Sequence, residues 1–442
     1  MGPQVDPVAS DLEWPREADV VIVGGGIIGA MSAFFLVERG LKVVLCEKGS
    51  IAGEQSSRNW GWCRQAGRDP REFDLIREAL ALWRGLDARI GGDTGFTTTG
   101  ILFSAATEAQ EAAYTKWVGE AAHAGIQSEV VSGKRLAELM PGDRQPPRSA
   151  LWCASDGRAE PQKAAPAIAA AARRLGATVF NDCAVRGLET AGGRVIAAVT
   201  ERGSIRTPAV VVASGAWSRR FLKDLGIVLP QLKVRASVMR TGPVAGGPEA
   251  ALWDREFAFR KRRDGGYTIA NGHVSVVPVV PDSFRFFADF MPALKAEYAS
   301  LRVRLGPRFA VEWREARRRP LDAPSVYEDA RILDPKPDQR YLAEALAALQ
   351  RRFPVFEGVR AMQSWAGFID VTPDAVPVIS TVDALSGLVV ATGFSGHGFG
   401  IGPGAGHLVA DLVSGARPIV DPREFRLSRF TDGSPIRYIA GL

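Results

Sequence analysis

The 442-residue chain is poor in the residues that build metal centres and cross-links, with only four cysteines and four histidines. Cys46, Cys63, Cys153 and Cys183 form no C-x-x-C pair, and no histidine stands at metal-ligand spacing, which argues against a structural or catalytic metal. Without a disulfide framework, the thiols fit a reducing, cytoplasmic setting. No uninterrupted apolar run reaches the roughly 20 residues that span a bilayer, although contact with a membrane surface stays open. Residues 1–16 lack the basic segment and apolar core of a signal peptide and read as a mobile tail. There is no internal repeat and no concentrated basic tract. Net charge is +6, but the densest cluster, Arg314–Arg319, includes Glu315 and stops at Pro320. That is a solvated face, so no nucleic-acid partner is indicated. The mild positive field favours anionic ligands.

What is abundant is glycine, 47 residues of it, and its placement is informative. Residues 18–47 read as strand, turn, helix, strand. The β-branched run Val20–Val23 enters Gly24-Gly25-Gly26-Ile27-Ile28-Gly29, a G-x-G-x-x-G. Gly24 permits the tight turn, Gly26 lets a pyrophosphate approach the backbone, and Gly29 lets helix and strand pack closely. The helix N-terminus presents unpaired N–H groups and the positive end of its dipole to phosphates. A second apolar strand, Leu41 to Cys46, ends at Glu47, about 20 residues past the glycines, where a carboxylate accepts ribose hydroxyls. The motif alone does not separate FAD from NAD.

The rest of the chain is divided by its patterning. A polar, aromatic loop, 48–75, is too long for a simple turn and is expected to carry function. Helical spacing follows over 74–90, a strand over 96–104 and a helix over 107–124. A helix ending at Gly176 precedes another strand, then a β-meander over 184–207. Ala209–Gly215 repeats the buried strand running into glycine. Residues 220–355 alternate strands of broken periodicity with helices. The segment 386–415 returns to strand, glycine-rich turn and helix, with Pro403 near the helix start. The expected fold is α/β. A Rossmann-like nucleotide domain comes from 17–95, 150–220 and 360–442. An interleaved α+β substrate domain, on a mixed, largely antiparallel sheet, comes from 96–149 and 221–359.

Three separated motifs, VVIVGGGIIG…CEKG, VVVASGAWS and WAGFIDVTPDAVPVIS…GFSGHGFGIGPGAGHLVADL, together resemble the FAD-dependent D-amino-acid oxidase superfamily. The stretch WAGFIDVTPDAVPVI is most similar to sarcosine oxidase β subunits and their single-chain relatives. The resemblance implies a GR2-type FAD-binding domain. Gly24, Gly26, Ile27, Ile28 and Gly29 would hold the pyrophosphate, with Glu47 on the ribose and Lys48 beside it. Ser56, Ser57, Asn59, Trp60 and Gly61 lie where the family's loop reaches the cofactor. Val185 would meet the adenine side, and Gly215 and Trp217 would lie along the nucleotide. Gly396, His397, Gly398, Phe399 and Gly400 match the loop passing the isoalloxazine ring. A helix N-terminus there would stabilise the anionic reduced flavin.

The implied chemistry is removal of a hydride from the carbon beside an amine of an amino acid or N-alkyl amino acid, leaving an imine that water hydrolyses. Such a site needs a cation for a carboxylate and aromatic walls. Arg64 is the first candidate and Arg68 the second, with Arg260 reaching in from the substrate domain. Tyr267 and Trp62 are candidates for shaping the pocket. His397 is expected to touch flavin or substrate, and His273 is a weaker candidate. Two departures from the family pattern stand out. Ile369-Asp370 replaces a common Arg-Pro, and the strand position of an oxygen-activating lysine falls near Ile269. Electrons would therefore pass to oxygen or to a quinone or carrier protein. No Cys or His stands at a covalent-flavin position, so FAD is expected to be non-covalent. Two alternatives are an NAD(P)-dependent dehydrogenase using only the first motif, and a flavoprotein subunit inactive without its complex.

Overall fold

The structure, a computed structural model, describes residues 2–439. Its organising element is a six-stranded sheet. In chain order its strands are β1 (Val20–Val23), β2 (Val43–Cys46), β3 (Thr178–Phe180), β4 (Ala209–Val212), β5 (Val378–Thr381) and β6 (Leu388–Thr392), arranged β5-β6-β4-β1-β2-β3. All neighbours are parallel except β5 and β6. Short runs of Val, Ile and Leu suit such strands, because both faces are covered. Val20, Ile22, Val43, Leu45 and Val211 point into a core shared with four helices, α1 (Ile27–Glu38), α2 (Phe73–Ile90), α3 (Pro161–Arg174) and α4 (Gly398–Ser414). Val21, Val23, Val44, Val210 and Val212 point the other way, against the meander of 185–206 and the segment around Trp217–Leu229.

Glycine sets how closely the helices approach. A Cβ on Gly29 would lie 1.9 Å from the Gly24 carbonyl oxygen, and one on Gly406 would lie 2.4 Å from Met31 Cβ. Helix α4 starts at Gly398, so Pro403 sits in its second turn rather than at its start and removes one ladder hydrogen bond.

The second sheet has ten strands. The strand Leu232–Thr241 pairs antiparallel with both Tyr267–Ala270 and Ala361–Val371. The sheet is mixed and mostly antiparallel, with parallel pairs at Ala251–Trp253 against Ile101–Ala105 and at Ser275–Pro278 against Leu301–Arg304. Two domain boundaries move. Ser149–Cys153 pairs with Ile101–Ala105, and Ala361–Val371 with Leu232–Thr241, so both belong to this sheet. Ser149–Cys153 is buried throughout, which makes it read like a nucleotide-domain strand. The expected mobile tail is also corrected. Asp11 exchanges two hydrogen bonds with Val179, both 2.8 Å, and pairs with Arg173 at 2.6 Å. Trp14 packs on Phe180 with ring centroids 4.9 Å apart, so the segment covers the open edge of β3.

Replacing Gly406 by valine forces α4 away from α1. The expected cost is about 1–3 kcal/mol, read as a lower denaturation midpoint.

Candidate active site

Strands β1, β4 and β6 are adjacent and parallel, so their carboxyl ends lie on one edge of the sheet. Each runs into glycine there, at Gly24, Gly215 and Gly393. A cavity of about 580 Å³ opens along this edge and extends beneath the second sheet. That volume lies within the usual range for ligand pockets. Ligands of open α/β sheets bind in this position.

At one end the cavity is a nucleotide cradle. Gly24 turns at φ +108°, a conformation side chains oppose. Gly24, Gly26, Ile27 and Ile28 line the wall, and Gly29 stands behind them, packed on Gly24. Glu47 accepts Gly25 N–H at 2.7 Å and Gly49 N–H at 2.9 Å, and burial raises its pKa. Each carboxylate oxygen retains a lone pair for a ribose hydroxyl. Ser56 accepts Ile27 N–H at 2.8 Å, which ties the loop after β2 to the start of α1. Asn59 braces that loop by donating to Ser56 O at 2.8 Å and accepting from Gly61 N at 2.7 Å. Val185, Gly215 and Trp217 form the adjoining wall.

Several expected cofactor contacts are instead structural. Lys48 lines the cavity, but its ammonium is held by Glu54 at 2.7 Å and by the carbonyls of Ala330 and Arg331. Ser57 is buried outside the wall and donates to Glu54 O at 3.2 Å. Gly61 also lies behind the wall, where a Cβ would meet Ala159 O at 2.5 Å. Gly400 is corrected for the same reason. A Cβ there would meet Trp62 O at 2.9 Å, and its carbonyl accepts Trp83 Nε1 at 2.8 Å. It is a packing glycine.

At the far end Gly396, His397, Gly398 and Phe399 line the cavity where α4 begins. Trp60, Trp62, Phe103 and Trp253 make an aromatic wall, with Trp60 and Trp62 edge to face at 4.9 Å. Arg64 lies over Phe103, its guanidinium carbon 4.9 Å from the ring centre. Arg64 and Arg68 both face the cavity. Burial and mutual repulsion press Arg64 down to about 9, and burial lowers Arg68 as well. Among the described residues Arg68 Nη1 has no hydrogen-bond partner. Two neighbours were not legible in the sequence as site residues. Asp156 accepts Gln65 N–H at 2.7 Å and Ala66 N–H at 3.1 Å, fixing the arginine loop, and burial raises it to about 6. Glu72, fully buried, sits 3.3 Å from His397 Nδ1. Only its place in DPREF, an N-terminal helix pattern, marked it, and that pattern signals capping rather than chemistry.

Arg260 and Tyr267 do not belong to the site. Arg260 is 1% exposed and gives a bidentate ion pair to Glu160 at 2.7 and 3.0 Å. Tyr267 is buried in the second core and donates to Pro248 O at 2.8 Å. They point to opposite faces of the paired strands, and both faces are buried, so sequence alternation cannot say which one borders a site. Asp370 is likewise structural, accepting Gly393 N–H at 2.6 Å and the Thr392 hydroxyl at 3.0 Å. His273 lines the cavity, and burial lowers its pKa.

The cradle, the shared cavity and the mixed sheet over its far end suit an enzyme that binds a dinucleotide. The profile of the FAD-dependent oxidoreductase family, DAO, matches residues 19–412, and the chain belongs to that family. Its cofactor is accordingly FAD, which replaces the NAD(P) alternative. An L-amino acid deaminase from Proteus myxofaciens, solved in complex with anthranilate, superposes with a TM-score of 0.93. It is 33% identical over 97% of both chains. The sarcosine oxidase subunit beta of Rhodobacter capsulatus is 23% identical over 95% of this chain and 90% of its own. A glycine oxidase of Pseudomonas aeruginosa is 24% identical over 92% of this chain and 97% of its own. The chain is thus an enzyme of the class that oxidises amino acids and amines.

Replacing Arg260 by alanine strands Glu160 in the interior. The expected loss is about 3–5 kcal/mol of stability, measured by denaturant unfolding, with the KM of the protein that remains folded unchanged. A selective rise in KM at full stability would return Arg260 to the site.

Proposed function

We propose that this enzyme oxidises the α-carbon of an amino acid or N-alkyl amino acid, with non-covalently bound FAD, to an imine that water hydrolyses. The observation that carries the reading is the pair of cavity-facing guanidiniums, Arg64 and Arg68, one with an unsatisfied buried donor, beside an aromatic wall. The buried acids Glu72 and Asp156 stand close behind the two guanidiniums, and Arg68 keeps a donor that a substrate carboxylate can engage. The anthranilate held by the Proteus deaminase, an aromatic amino carboxylate, supports the same substrate class.

The residues present fit the cofactor. Gly24, Gly26 and the N-terminus of α1 would hold the pyrophosphate and Glu47 the ribose. Gly215 and Trp217 would flank the nucleotide, and Gly396–Phe399 would meet the ring. When bound, the flavin supplies the electron sink for the substrate's hydride. The protein does the rest. Arg64 and Arg68 orient the carboxylate, Trp60, Trp62 and Phe103 exclude water, and the N-terminus of α4 directs its dipole into the pocket. Ile269, near the position where the family resemblance expects an oxygen-activating lysine, is fully buried between Met239 and Phe259. Its side chain belongs to the core of the second sheet and not to the cavity wall, and the acceptor is oxygen or a quinone or carrier protein.

Purified protein is expected to be yellow and to bleach anaerobically with its amino acid. Arg68→Met is expected to weaken that substrate by about 10–100-fold, the worth of charge-assisted hydrogen bonds, and to leave a matching amine without a carboxylate little affected. Equal loss for both ligands, or protein that takes up no FAD, contradicts the reading.

A further inference from the structure

The far end of the cavity holds more charge chemistry than carboxylate binding requires. Glu72 ends the turn Pro70–Glu72 and leads into α2, with 0% exposure. Among the described residues neither of its oxygens has a hydrogen-bond partner, and neither does His397 Nδ1, although Nδ1 and Oε2 are 3.3 Å apart. His397, Arg68 and Arg64 offset the charge of Glu72, but a buried carboxylate that makes no hydrogen bond is still costly unless it serves something. His397 lines the cavity immediately before α4, so its ring lies between Glu72 and the ligand space. Arg64 and Arg68 face His397 from the loop after Trp62–Cys63, and Glu72 faces it from the start of α2. Asp156 and Tyr114 act on Arg64 from farther back. The loop Phe394–Gly396 and the first turn of α4 bring no other titratable group.

We propose that Glu72 and His397 form a proton-accepting pair that the substrate's own carboxylate arms. This rests on the amino-acid reading above. Binding the carboxylate at Arg64 and Arg68 converts the imidazole into the base that takes a proton from the neighbouring ammonium. One ammonium N–H bond breaks and its electron pair stays on the substrate nitrogen. The proton forms a new bond to His397 Nε2, and the imidazolium charge is met by Glu72 through Nδ1–H. No electrons leave the substrate in this step, and the product is the neutral amine that hydride loss requires. His397 is then a catalytic residue and Glu72 a positioning residue that acts through it.

The electrostatics give the arming its sign. Without ligand, burial and the charges of Arg68 and Arg64 hold His397 down to about 4, while Glu72 pulls upward. A bound carboxylate cancels the field of the arginines and leaves Glu72 unopposed, so proton affinity rises. By linkage, carboxylate binding and proton binding favour each other.

The test uses the FAD-loaded enzyme with anthranilate as a non-oxidised carboxylate. In weakly buffered solution near pH 6, saturation is expected to take up as much as about one proton per site. In ¹⁵N-histidine spectra, with four histidines to assign, the His397 signals are expected to move toward imidazolium. His397→Asn, which assigns them, should abolish the uptake. Glu72→Gln should bind anthranilate, lose most of the uptake, and shift the acid limb of the flavin-reduction rate to lower pH. Anthranilate that perturbs the flavin spectrum without proton uptake, or uptake unchanged in Glu72→Gln, overturns the proposal and leaves the amino-acid reading intact. Failure of anthranilate to bind, together with no reduction by any amino acid, overturns both. The spectra of the unaltered protein decide the matter even if Glu72→Gln does not fold.

Discussion

Three glycine turns meet because the three strands leading into them lie side by side and point the same way. Hydrogen bonding of β6 to β4 and of β4 to β1 puts Gly393, Gly215 and Gly24 on one edge, though they are far apart in the chain. Every cofactor contact in the account depends on that register. It is held by apolar burial on both faces of the sheet, and by glycines that let α1 and α4 pack within van der Waals contact. A bulge or slip in β6 would move the start of α4 away from the cradle.

The second determinant is electrostatic. The cradle is rich in backbone N–H groups and helix dipole, suited to phosphates. The far end is rich in fixed side-chain charge under an aromatic wall. Asp156 anchors the arginine loop by two backbone hydrogen bonds, so the guanidiniums are directed at the cavity before any ligand arrives. Unsatisfied polar atoms on Trp62, Arg68, Glu72 and His397 gather in the same place. A folded interior rarely leaves so many donors and acceptors idle together. Their concentration where the second sheet closes over the cavity marks the end at which substrate, rather than nucleotide, binds.

Much of this was legible in the sequence, and for physical reasons. Buried parallel strands are short and apolar, so Val20–Val23 and Ala209–Val212 announce themselves, and the glycines after them have few other uses. The family motifs carried Gly396 to Phe399 to the cavity wall. Other residues were ambiguous because one residue type serves two ends. Gly400 was indistinguishable from its neighbours until its contact with Trp62 was seen. Arg260 had the chemistry of a clamp, but its partner, Glu160, is 100 residues away in sequence. Glu72 was invisible as a site residue because helix starts commonly carry an acid. The boundary strands Ser149–Cys153 and Ala361–Val371 were assigned by composition, whereas pairing decides which sheet a strand joins.

The central claim is that the ends of β1, β4 and β6 grip one flavin nucleotide between them. A crystal structure of the FAD complex tests it most directly. The pyrophosphate is expected against Gly24–Ile28 and the isoalloxazine beside Gly396–Phe399, within one continuous cavity. A flavin bound at the cradle with its ring turned away from 396–399, or bound elsewhere on the molecule, would contradict it.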